Sequence, residues 1–191
     1  MPCDLTRGFE LSCLEGIGGV KEIFVANYTY FDSGIVYGGP GGAISELPGT
    51  VGDPITVWRY QPFRNSGSYV ETVNKSLETG TLFFTQEVSW TFGKLTQVLR
   101  NEFLNLAKAK MVVFVRTNDD QILMIGAGGG ADLSAGTVQT GAQKADLMGY
   151  QVTVTAEELA PAVHLVAFGP GELPFDNFPG IEVNPPYVVA G

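Results

Sequence analysis

The chain has 191 residues with 20 acidic against 11 basic side chains, a formal charge of −9, and 16% charged residues against 45% hydrophobic. That balance lacks the basic footprint on which phosphate binding rests, and it is lean in charge for a monomer that keeps its whole surface wet. Twenty-five glycines and eleven prolines, set among β-branched and aromatic runs, point to one domain of many short strands rather than a helical bundle.

Cys3 and Cys13 are the only cysteines, with nine residues between them. A secreted disulfide framework has more, and the spacing fits no zinc knuckle, so both read as small buried hydrophobes and no metal or cofactor is expected. Residues 1–11 lack an apolar stretch preceded by basic residues, and no run is long enough to span a bilayer. The expectation is a protein made in the cytoplasm with no membrane partner.

Residues 21–30 read as a strand with Ile23 and Val25 on one face and Phe24 and Ala26 on the other. Apolar on both sides, it belongs in the centre of a sheet. Residues 31–54 then gather Gly34, Gly38, Gly39, Gly41, Gly42, Gly49 and Gly52 into a long loop with at most one short strand at 43–47. Loops of this length are usually functional or covered by partners. A strand at 55–61 is broken by Pro62, Asn65, Ser66 and Gly67, and a second at 68–77 turns through Glu78, Thr79 and Gly80 into a third at 81–92.

In that third strand Leu82, Phe84, Val88, Trp90 and Phe92 alternate with Thr85, Glu87, Ser89 and Thr91, the period of a strand with one buried face and one wet face. Leu95, Val98, Leu99, Phe103 and Leu106 follow at helical spacing, which predicts one amphipathic helix lying on a sheet and plugging one opening of the core. Residues 111–115 and 122–125 form a hairpin about Thr117, Asn118, Asp119 and Asp120. A flexible glycine-rich stretch at 126–148, strands at 150–155 and 163–168, and a proline-rich arm complete the chain. The organisation is a single β domain over 1–168, a sandwich or barrel of antiparallel strands with one flanking helix, and an extended arm over 169–191.

No constellation of catalytic residues assembles in this order. The glycines at 38–42 and 126–130 are followed by neither the Lys-Ser/Thr of a phosphate loop nor a helix, and Asp132 would face any anion held by the second group. His164 has no nucleophile beside it, Asp119 and Asp120 suit a solvated turn, Glu157 and Glu158 flank a strand end, and Ser12 and Ser134 sit in no nucleophile elbow. The chain therefore reads as a non-enzyme. Trp58, Tyr60, Phe63 and Tyr69 cluster at one strand break, where aromatics suit a core edge, a contact between subunits or a stacked sugar; Arg59, Gln61, Arg64 and Asn65 are the polar residues close to them in sequence.

The opening Cys3-Asp4-Leu5-Thr6-Arg7-Gly8-Phe9 with Cys13, and Gly18-Gly19-Val20-Lys21 before a strand, resemble the start of tailed-bacteriophage structural proteins, in particular major tail tube proteins. Glu78-Thr79-Gly80-Thr81-Leu82-Phe83-Phe84 and the run from Gly141 through Asp146-Leu147-Met148-Gly149-Tyr150 are similar too. The resemblance implies a virion protein that assembles with itself into rings, typically hexameric, stacked as a tail tube through which DNA passes without specific binding, in contact with other tail proteins. Thr85, Glu87, Ser89 and Thr91 would then face the lumen, Trp58, Tyr60, Phe63 and Tyr69 would contact neighbouring subunits, and the 31–54 loop and the arm would join rings. Two other readings stand beside it: a tail-completion or capsid-decorating subunit, and a carbohydrate-binding β-sandwich centred on Trp58 and Tyr60.

Overall fold

A strand apolar on both faces needs cover on both, and β1 (Val20–Asn27) has it in the computed structural model, which describes residues 17–169 and 171–187. β1 lies antiparallel between β2 (Ile55–Tyr60) and β5 (Met111–Thr117), with Phe24 opposite Phe114 and Val25 opposite Val113. On the β5 side the sheet continues through β6 (Ile122–Ile125) to β9 (Val163–His164), and on the other side β10 (Ile181–Asn184) pairs parallel to β2. The second sheet is antiparallel in the order β3 (Ser68–Ser76), β4 (Thr81–Gly93), β8 (Gly149–Glu158), β7 (Asp132–Gln139). The protein is a mainly β sandwich with one α-helix, α1 (Gln97–Lys108), among the described residues.

Between the sheets, Ile23, Val25, Val113 and Val115 meet Val88, Trp90, Phe92, Tyr150, Val152 and Val154, all buried. The alternation read in residues 81–92 produces this packing, and Phe92 stacks on Tyr150 with centroids 5.0 Å apart. α1 starts where the Thr96 hydroxyl accepts the Leu99 amide at 3.3 Å, satisfying one of the helix's free donors. It sets Leu106, Leu99 and Phe103 on the core, and Phe103 occupies the space that a side chain at Gly136 of β7 would need. Val98, expected on that apolar stripe, is exposed instead.

The larger sheet carries a second core on its other face. Phe24, Val57, Val112, Phe114 and Met124 are roofed by Phe31, Ile44 and Leu47 from the glycine-rich loop and by Leu165, Phe175 and Phe178 from the last part of the chain. Phe175 packs edge-on against both Phe24 and Phe114, at 5.0 and 5.2 Å. This corrects one expectation: within the described residues 171–187 the chain folds back onto the sheet rather than extending as an arm, and there β10 adds one parallel strand pair to the antiparallel-rich sandwich. The prolines do not oppose this, because β10 is an edge strand that ends before Pro185 and Pro186.

Two smaller differences follow from the same pairing energetics. The short strand expected at 43–47 is reduced to single bridges, Val36 with Glu46 and Ile44 with Leu165. The stretch expected to be flexible contains β7, paired along its length with β8 and bulged at Ser134.

Candidate assembly surface and aromatic groove

The register of the four-stranded sheet fixes what its outer face presents. Glu87 lies between Val70 of β3 and Thr155 of β8, Ser89 between Ser68 and Thr153, and Thr85 between Thr72 and Glu157. Hydroxyls and amides link across the strands: Ser68 to Ser89 at 2.8 Å, Asn74 to Thr85 at 2.8 Å, and Ser134 to Thr155 at 2.8 Å. Asp132, Glu87 and Glu157 are the charged strand residues in this register, and Lys110, outside it, borders one end of the face beside Asp132, Ser134, Thr155 and Glu157. Of the four residues expected on it, Glu87 is exposed and Thr85 and Ser89 are partly so, but Thr91 is buried. The loop after β2 folds over that end: the Phe63 amide donates to the Thr91 carbonyl at 3.0 Å, and the Phe63 ring rests on Gly93.

The sheet has two open edges. β3 is nine residues long, contains no proline and pairs with β4 alone among the described strands. Its hairpin with β4 overhangs the rest of the sheet, because β8 ends opposite Phe84. Leu82, expected in the core, therefore lies beyond the sandwich and is exposed, as are Val70, Val73 and Leu77. A long flat edge with exposed apolar side chains is a template for another strand. β7, the opposite edge, is solvent-exposed over most of its length.

The glycine loops are closed to anions by their own chain. The Glu158 carboxylate accepts the Gly128 and Gly129 amides at 3.0 and 2.7 Å, so the donors that a phosphate would use already hold a carboxylate. In the other loop Gly39 and Gly42 donate to the Ala43 and Gly39 carbonyls, and Gly38 to the Ser45 hydroxyl. Beside Glu158 a largely apolar cavity of about 820 Å³ runs between Phe83, Met124, Leu159 and Val163. His164 is exposed on β9 with no side-chain hydrogen bond among the described residues, and Cys3, Cys13 and Ser12 lie outside the described residues.

The four aromatics separate. Tyr60 packs on Trp90 and Phe92, with centroids 5.9 and 5.4 Å away, and Tyr69 also packs against the core, each remaining partly buried. Burial, with the Glu102 carboxylate second, pushes the Tyr60 hydroxyl up to about 12. Trp58 and Phe63 stay exposed, at 48% and 46%. Trp58 borders a groove of about 330 Å³ between β1, β2 and α1, where Asn27, Glu102 and Asn105 converge on Trp58 and Tyr60 above Leu106 and Met111.

Sequence reasoning missed a buried polar cluster on the opposite face of the large sheet. Glu22 and Arg116, 94 residues apart, form an ion pair that Tyr187, Arg59 and Asp120 extend. A carboxylate inside an apolar strand followed by an arginine inside another was the available signal. Gln86, at an even position of β4, is buried as well, holding Glu71 and the Gly126 amide.

No family model matches this chain, no curated protein matches it, and no solved structure matches it.

Proposed function

We propose that the chain is a self-assembling structural subunit, a tail tube protein of a tailed bacteriophage whose copies join into stacked rings around a channel for DNA. The observation that carries this reading is the four-stranded sheet, which combines a polar, acidic outer face with two open edges, β3 and β7. Pairing β3 of one copy with β7 of the next would remove both edges and turn the outer faces into one continuous wall. A wall whose charged strand residues are Glu87, Glu157 and Asp132, with Lys110 at one end, is acidic on balance and repels the DNA backbone, so passing DNA does not adhere. The exposed apolar residues of the overhanging hairpin, Leu77 and Leu82, give the end of such a ring a surface for the next ring or for another tail protein.

On this reading the protein is catalytically inert, works in the virion tail and is assembled in the host cytoplasm. Electron microscopy and light scattering of the purified chain test it. Closed rings or tubes with a central channel are expected; a chain that stays monomeric at high concentration would count against the tube and in favour of a decorating or completion subunit.

A further inference from the structure

We infer that the groove beside Trp58 is a binding site for a neutral pyranose. Trp58 lies on the core-facing side of β2, opposite Val25 of β1 and, across the parallel pair, Asn184 of β10, yet it is half-exposed because neither the small sheet nor α1 covers this end. A half-exposed indole beside an apolar floor offers a stacking platform for the C–H face of a sugar ring.

The polar groups around it suit hydroxyls. Asn27 and Asn105 each offer a carboxamide that can both donate and accept, Glu102 offers a carboxylate, and no side-chain hydrogen bond ties any of the three to another described residue. A few convergent polar groups over an apolar floor, in a cleft of this size, are the usual form of a small-ligand site.

Charge and aromatic geometry narrow the class. Glu102 is the one charged residue of the lining, so an acidic sugar is disfavoured; Arg59 belongs to the opposite face of β2, where it faces Glu22. A quaternary ammonium would want several open ring faces, but the Tyr60 ring is occupied by Trp90 and Phe92, which leaves one platform and no cage. The site lies outside the outer face of the small sheet and does not depend on ring formation.

The chain has two tryptophans, and Trp90 is completely buried, so a ligand-dependent change in emission reports Trp58. The full chain is titrated with the methyl glycosides of glucose, galactose, mannose and N-acetylglucosamine, with tetramethylammonium in parallel. A saturable emission change with at least one glycoside is expected. Read by isothermal titration calorimetry, which does not need the indole as reporter, Trp58→Ala should abolish binding, Trp58→Phe should retain weakened binding, and Asn105→Ala and Glu102→Gln should each weaken it about tenfold. Circular dichroism and thermal unfolding confirm that each variant is folded. No saturable change with any glycoside, affinity unaltered in Asn105→Ala and Glu102→Gln, or saturation by tetramethylammonium alone would each overturn the assignment.

Discussion

Arg116 donates from Nη1 to Glu22 Oε2 at 2.6 Å, and neither side chain keeps more than 11% of its surface in solvent. The same oxygen accepts the Tyr187 hydroxyl at 2.6 Å, so one carboxylate ties β1 to β5 and to the residues following β10. Removing it leaves a buried guanidinium with one partner fewer. Glu22→Ala should lower unfolding stability by about 3–5 kcal/mol, the cost of orphaning a buried charge. Urea denaturation measures this, and an unchanged midpoint would show that Arg116 is rehydrated at little cost.

Asp120, in the turn between β5 and β6, is held below the usual carboxylate range, first by its hydrogen bond to Lys21 and then by Arg116. Because the folded value lies below the unfolded one, this contribution to stability is fully present above the unfolded value near 3.8 and is lost as pH falls through the folded one. Asp120→Asn should therefore flatten the acid limb of the stability profile below about pH 4. Asn suits the site because residue 120 has φ +58°, a conformation that Asn and Asp tolerate. An acid limb identical to that of the parent protein would place the titrating groups elsewhere.

Gly49 and Gly180 meet backbone to backbone: a Cβ on Gly49 would fall on the Gly180 carbonyl, and Gly49 itself has φ +108°. Gly49→Ala should therefore loosen the seat of residues 171–187 and cost at least about 1–3 kcal/mol. Gly41→Ala, also at positive φ but facing open space, should cost only the conformational strain of about 1 kcal/mol. Chymotryptic cleavage after Phe175, which precedes Asp176, reports the difference: faster in the first variant and near the parent rate in the second.

Val73 sits on the free edge strand with 60% of its surface exposed. A lysine there places a charge where a neighbouring strand would dock, so Val73→Lys should leave the monomer folded and abolish rings. Glu87→Lys should also fold, since Glu87 is exposed, and assemble, but its channel should retain DNA and do so less at high salt. Light scattering and a DNA-retention assay read the two outcomes. Rings formed by Val73→Lys would move the contact away from β3, and unfolding of Glu87→Lys would reverse the assignment of faces.

The sandwich was legible wherever one strand carried its own pattern. Val88, Trp90 and Phe92 announce a buried face by alternation alone, and Ile23 to Ala26 announce a central strand by being apolar throughout. What stayed hidden depends on partners far along the chain. β7 is built of small and polar residues whose strand conformation comes from pairing with β8, not from propensity. Thr91 is buried by a loop that folds over it, and Leu82 is exposed because β8 stops short, and neither fact is written in the period of β4. The Trp58 groove was half visible: the aromatics were evident, whereas Asn27, Glu102 and Asn105 join them only when α1 docks.

The roof over the larger sheet has a consequence for the timing of folding. Phe31, Ile44 and Leu47 are made early, but Phe175 and Phe178 leave the ribosome only after every strand from β1 to β9. Until then Phe24 and Phe114 lack their edge-on partner, and the nascent chain carries an oily face that chaperones or other copies can reach. Emergence of residues 175–178 from the ribosome closes that face, so the fold is safe to accumulate only once this segment is free to dock.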